Sequence, residues 1–359
     1  MPQPFVSESD ITGLPTTKRT PLATEEAKPR RRHTWLWVAL KFAITGVILA
    51  YVAGQVDLRA VGGTLKSVSL SHLTLSIGFL LLVPLLGGIR WWMVLKAIGR
   101  PDSLAPLTAL FWVGMLFSQV LPAAASDGVR IWIASRRGPG LEGAIHSVLL
   151  ERVSMVLMLL IVVVATEPLL LHRIGAVELL WIAPVLFAAG SAGLAMLMVA
   201  DRLTIRLNHW GLIRSLAKLS VDTKRVVFSV WALPLALFGI LTHLNFVCAA
   251  ALLGIALSLP LSVLDYLAFI PLVMVSMVLP ISFSGWGVRE GVLVVLLGTV
   301  GIPAQSAVAF SLLFGACIAV SSLPGLAVWW LNSDRKKRRS GLQSDMSVLS
   351  KLDSSTGRG

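Results

Sequence analysis

The sequence predicts an all-α, polytopic integral membrane protein of about six full spans plus two re-entrant helical hairpins arranged as an inverted repeat. Three observations carry that expectation. Apolar residues make up 56% of the 359-residue chain and charged residues 14%, with a mean hydropathy of +0.82; a soluble domain carries about 25% charged residues to keep its surface wet. Residues 179–200, 266–288 and 291–332 contain no Asp, Glu, Lys or Arg, and the first two runs are each about the length that crosses a bilayer core. Finally, the +13 net charge is concentrated beside apolar runs, which signals membrane orientation and contact with anionic lipid, and argues against nucleic acid as a partner.

Residues 1–34 are polar and Pro-rich and end in Lys28, Arg30, Arg31 and Arg32. They predict a disordered, basic cytoplasmic leader running into a first span at 35–56, not a cleaved signal peptide, whose apolar core would start earlier. Further apolar segments follow at 72–95, 105–122, 145–166, 179–200, 231–258, 264–280, 291–300 and 303–331. Reading each as a full span puts Arg202, Arg206, Arg214, Lys218, Lys224 and Arg225 outside, against the positive-inside rule. Letting 105–137 and 264–300 dip into the membrane and return repairs the pattern. Both termini are then cytoplasmic, in the cytoplasmic membrane, although a hairpin arm drawn as a span gives counts of seven or eight. Residues 201–225 carry Leu203, Leu207, Trp210 and Ile213 on one helical face and Arg202, Arg206 and Lys218 on another, as an interfacial helix attracted to anionic headgroups does. Residues 333–359 form a polybasic tail with Arg335, Lys336, Lys337, Arg338 and Arg339.

The proposed hairpins share a pattern. Val120 to Arg130 reads VLPAAASDGVR, and Val278 to Arg289 reads VLPISFSGWGVR. Each unit is span, span, hairpin, span, giving a first repeat over 35–176 and a second over 177–332. Three full spans per unit is an odd number, so the second copy must run upside down, as in many secondary transporters. Pro122 and Pro280 break the helix. Gly128, Gly285 and Gly287 supply the backbone freedom of a hinge. Plain proline-kinked helices are the alternative.

Charged residues that stay in the membrane are the candidate site. Glu151 and Arg152 interrupt an apolar helix, and Arg289 with Glu290 repeats the problem in the second half. Each such group costs at least ~2.5–3.5 kcal/mol at a helix centre and so faces a partner or a wet cavity. Pairing of Glu151 or Glu290 with Arg130, Arg152 or Arg289 either fixes the hairpins against the bundle or holds arginines ready for a lipid phosphate. The two readings are compatible. Arg90, beside Trp91 and Trp92, reads as a snorkelling residue near the cytoplasmic end of its helix. Asp127 reads as the cap of a helix starting at Gly128. His243 and Asn245 lie mid-span and can hydrogen-bond a neighbouring helix or a ligand. Cys248 and Cys317 have no CxxC spacing, and no nucleotide, cofactor or metal motif is present.

The stretch FSQVLPAAASDGVRIWIASRRG, the following SVLLERVSM, and PISFSGWGVREG further on resemble the lysylphosphatidylglycerol synthase-type transmembrane domain, the flippase half of the bacterial multiple peptide resistance factor. That resemblance implies a lipid-translocating inverted-repeat fold, with motif positions on Arg130, Arg137, Glu151, Arg152, Arg289 and Glu290. The full-length synthase adds a cytosolic domain that transfers lysine from tRNA to lipid. This sequence ends soon after its last apolar segment, so transport rather than synthesis is expected. The expected partners are anionic or phosphate-bearing membrane lipids. The rival expectations are an enzyme or subunit of lipid-linked glycan or aminoacyl-lipid modification, and an anchor that recruits a soluble transferase through the basic loops.

Overall fold

The computed structural model describes residues 68–119, 121, 123–175, 181–204, 211–278 and 287–331, together with Gly63. All regular structure among them is α-helical. In chain order the helices are α1 (Leu70–Ala97), α2 (Leu104–Ser118), α3 (Ala123–Ala134), α4 (Gly140–Ile174), α5 (Ile182–Thr204), α6 (Gly211–Val227), α7 (Ala232–Ala256), α8 (Val263–Val278), α9 (Val288–Gly298) and α10 (Ala304–Ser322).

Five stretches are long and apolar enough to cross a bilayer: α1, α4, Ala183–Arg202 of α5, α7, and Ala304–Leu331, which begins with α10. The protein is therefore a multi-pass helical membrane protein. The expected first span (35–56), the leader (1–34) and the tail (333–359) lie outside the described residues. So do Pro122, Pro280 and Gly285, and with them Leu207 and Trp210 of the expected interfacial helix.

The two segments expected to dip into the membrane are both helix pairs. At ~1.5 Å per residue, the 15-residue α2 and 12-residue α3, like the 16-residue α8 and 11-residue α9, fall short of the ~30 Å hydrocarbon core. The first pair returns to where it began. Arg100 Nη1 donates to the Pro139 carbonyl at 2.6 Å, and Arg137 Nε lies 3.3 Å from Asp102 Oδ2, so the chain before α2 touches the chain after α3.

α4, at 35 residues, outruns the expected 145–166 at both ends, because its polar flanks find partners. Glu142, in its first turn, lies 3.0 Å from Lys218 Nζ of α6, and His146 Nδ1, one turn on, lies 2.7 Å from Asp222 Oδ2 of the same helix. Arg173, in its last turn, makes two bonds to Asp265 of α8, at 2.5 and 3.1 Å. Gly175 then ends the helix at φ 69° and donates to the Leu171 carbonyl, a left-handed cap that glycine adopts without steric cost.

α1 and α7 pack along their length and run antiparallel. Ser69 N donates to the Ala256 carbonyl, Ser76 Oγ to the Ala249 carbonyl and Asn245 Nδ2 to the Phe79 carbonyl, so the numbering rises in one helix as it falls in the other. α2 packs beside α1 and α8 beside α7. α4 packs on α7 and α8, while α10 packs on α1 and α2. α5 has α4 and α6 as its main neighbours and leaves Val185, Leu186, Met196 and Val199 exposed, an apolar face suited to lipid tails.

α6 corrects the expected interfacial helix at 201–225. α5 runs on to Thr204 and α6 begins at Gly211. Its cations also answer to protein acids: Lys218 pairs with Glu142, Lys224 with Asp201 and Arg225 with Asp222. Those charges latch α6 to α4 and α5 and to its own preceding turn, and are not simply presented to headgroups.

Candidate functional site

About three turns into α4, Glu151 is buried against α1 and α3. Its Oε1 accepts from Arg90 Nη2 at 2.5 Å, and its Oε2 lies 3.7 Å from Arg130 Nη2. Arg90 also donates from Nη1 to Thr242 Oγ1 of α7 at 2.5 Å, so this one guanidinium links α1, α4 and α7. Arg130 reaches in from α3. Gly114 of α2 makes room for it, since a Cβ there would collide with the Arg130 chain. Its guanidinium carbon lies 4.2 Å from the Phe111 ring centroid and 4.6 Å from that of Trp91, a favourable placement for a desolvated cation. Trp91 in turn donates from Nε1 to Ser147 Oγ.

The next residue of α4, Arg152, faces α3. Its Nε and Nη2 donate to Asp127 Oδ2 and Oδ1 at 2.8 and 3.0 Å, a two-bond fork of the kind that favours arginine over lysine. Arg130 Nη1 shares Asp127 Oδ1 at 3.3 Å. Five ionised side chains from α1, α3 and α4 therefore form one cluster. Its inner members are nearly sealed, with Arg90 and Glu151 at 1% side-chain exposure and Arg130 at 2%. Arg152, at 41%, is its open edge.

The second half builds a separate and simpler arrangement. Gly287 stands at φ 83° ahead of α9, and its amide donates to Glu290 Oε2 at 2.5 Å. Arg289 holds Glu290 Oε1 through Nη2 at 2.5 Å and Nε at 3.1 Å, and Ser311 of α10 bonds both. Gly315 of α10 lies against the Arg289 guanidinium, where a Cβ would collide.

Four sequence expectations need correcting. Arg90 does not snorkel: it is buried, because Glu151 and Thr242 offer it stronger partners than the interface. Asp127 does not cap a helix at Gly128, since α3 begins at Ala123 and puts the carboxylate within reach of Arg152. Gly128 is therefore inside a helix, exposed and without positive φ, and the chain reverses before it. Arg137 is not brought to the cluster but pairs with Asp102 at the hairpin's foot. His243 donates from Nε2 to the Met155 carbonyl and Asn245 to the Phe79 carbonyl; both bond neighbouring helices. Thr242 and Ser311 were missed, since a lone hydroxyl in an apolar run gives no sequence signal.

Two concavities among the described residues are apolar. One lies between α4, α5 and α8, lined by Leu160, Val163, Leu186, Leu272 and Val275 with Glu167 at its wall. The other lies between α4, α5, α6 and α7, lined by Val153, Leu157, Leu194, Val226 and Ala236. Neither is lined by the arginines.

Comparison with known proteins gives one family. No curated protein matches the chain. The model of the lysylphosphatidylglycerol synthase TM region matches residues 38–325, which include both hairpins and both charged arrangements. With most of its length covered by that match, this chain belongs to the lysylphosphatidylglycerol synthase transmembrane-region family.

Proposed function

We propose that the protein is a transporter of the cytoplasmic membrane that moves a phospholipid or similar amphiphile between leaflets, with both termini cytoplasmic. The observation that supports it most is the buried cluster at the first hairpin. Arginines sunk in an apolar helical bundle are costly to keep there, and guanidinium is the side chain best matched to phosphate oxygens. The cluster joins a hairpin that does not cross the membrane to two helices that do, so a headgroup bound there is linked to the hairpin's position. Arg90 and Glu151 frame the site, Arg130 and Arg152 face the headgroup, and Arg289 with Glu290 pins the second hairpin. Membership of a family named for a lipid-modifying synthase fits a lipid cargo.

The architecture belongs to the same proposal. α1 and α7 hold equivalent places in the two halves and run antiparallel, and the last helix of each half packs on that helix and the first hairpin arm of the other, α4 on α7 and α8 and α10 on α1 and α2. Both features support an inverted repeat that exchanges access between the two sides. The transferase-anchor reading loses support at α6, whose paired cations are engaged within the protein.

The test is reconstitution into liposomes with fluorescent phospholipids and a membrane-impermeant quencher. The wild type should equilibrate label between leaflets, and Glu151→Ala and Arg289→Ala should slow it at least tenfold. Normal rates in both folded variants would overturn the site, and no translocation by the wild type would overturn the function.

A further inference from the structure

The equivalent arginines of the two hairpins sit in different charge environments. Around Arg289 the described charges balance, with Glu290 as counter-ion and Ser311 shared between them. Around Arg130 they do not. Three cations (Arg90, Arg130 and Arg152) meet two carboxylates (Glu151 and Asp127), which leaves one positive charge in excess among the described residues.

Arg130 Nε and Nη2 are buried and, like Arg90 Nε, have no hydrogen-bond acceptor among the described residues; Nη2 approaches Glu151 Oε2, itself without a donor there, at 3.7 Å, an ion pair but longer than a hydrogen bond. The Trp91 and Phe111 rings soften this charge without supplying an acceptor. Next to it, the fork of Arg152 is filled by Asp127 in the geometry a phosphate would take. Asp127 is itself only 16% exposed, and among the described residues it is the one whose carboxylate hydrogen-bonds both Arg130 and Arg152.

We infer that Asp127 is a built-in competitor for the ligand, occupying the Arg152 fork until a singly charged phosphodiester takes that place and the free donors of Arg130. Asp127 gives up the Arg152 fork but keeps its contact with Arg130 Nη1, so the ligand's single negative charge is added to the cluster and neutralises it. A doubly charged phosphomonoester would overshoot, and burying the surplus charge would cost it affinity. This rests on the lipid-transport reading above and adds to it the charge class of the headgroup and the residue that opposes its binding.

The test is titration of the purified full-length protein in detergent, with short-chain phosphatidylglycerol, short-chain phosphatidic acid and inorganic phosphate as separate probes. Phosphatidylglycerol should bind tighter than phosphatidic acid at a pH where the latter is doubly ionised. Arg152→Gln, on the open edge where folding is least at risk, should raise the phosphatidylglycerol dissociation constant about tenfold, as loss of one charge-assisted pair does. Asp127→Asn should lower it by a similar factor, and that gain should vanish when Arg152→Gln is added. Arg137→Gln, paired elsewhere with Asp102, serves as the surface-charge control and should bind as the wild type does.

Weaker or unchanged binding in Asp127→Asn would make Asp127 a structural anchor and overturn the inference. Equal weakening by Arg137→Gln would do so too, by reducing the effect to general surface charge. If inorganic phosphate alone bound with the same dependence on Arg152 and Asp127, the lipid as source would be overturned. Translocation by the wild type in liposomes decides the underlying function independently of all these outcomes.

Discussion

Glu151 is the residue on which the first cluster depends. Two buried arginines from different helices lean on its carboxylate, and among the described residues neither has another full counter-ion of its own: Arg90 is left with the hydroxyl of Thr242 and Arg130 with a share of Asp127. Removing one partner of a buried ion pair costs about 3–5 kcal/mol, because the other charge stays desolvated and unpaired. Glu151→Gln keeps the shape and removes the charge, so it should destabilise by that amount, read as a lowered thermal unfolding midpoint in detergent. A midpoint equal to the wild type's would mean that Arg90 and Arg130 are held by something other than Glu151. The sequence showed that Glu151 and Arg152 had to find partners. It did not show that adjacent residues divide the work, Glu151 facing α1 and Arg152 facing α3, because that depends on how α4 is rotated within the bundle.

Helix breaks, unlike helices, were read from sequence with mixed results. Pairs of short helices, α2 with α3 and α8 with α9, stand where the sequence predicts hairpins, yet Gly128 lies on a helix and not in a hinge. A glycine in a helix costs roughly 0.5–1 kcal/mol relative to alanine, and a Cβ at Gly128 would meet nothing within 4 Å. Gly128→Ala should therefore raise the unfolding midpoint. Gly325 is the contrasting case. A Cβ there would run into the backbone carbonyl of Trp112 on α2, which cannot rotate away, so Gly325→Ala should destabilise by about 1–3 kcal/mol through overpacking. If both substitutions behaved alike, the close packing of residues 324–331 against α2 would be overturned. In sequence the two glycines look equivalent; only the neighbour brought up by the fold separates them.

For the molecule as a whole, the decisive measurement is sidedness. α7 is 25 residues long, about 37 Å at 1.5 Å per residue, enough to cross the hydrocarbon core. Val230, just before it, is 85% exposed, and Val263, after it at the start of α8, is 63% exposed. With Cys248 and Cys317 replaced, an impermeant thiol reagent applied from outside intact cells should label Val263→Cys and not Val230→Cys. Labelling of both from one side would remove α7 as a span and the inversion of the two halves with it. Basic residues predict this orientation through their distribution, and the antiparallel run of α1 against α7 is the packing that goes with it.

The sequence by itself determined the solvent: runs without charge admit only a bilayer, and the basic residues between them favour one topology in it. It also marked which residues could not be there for packing alone, because an ionised group inside an apolar helix must be compensated. Only the tertiary structure decided how. The buried cluster depends on distances between residues far apart in the chain, such as Arg90 and Glu151 or Arg152 and Asp127, and those distances follow from helix rotation and crossing, which apolar helices of near-uniform hydrophobicity leave unspecified. For the same reason two segments that share a sequence pattern hold different charge environments among the described residues: their arginines match in the chain, and the described neighbours do not.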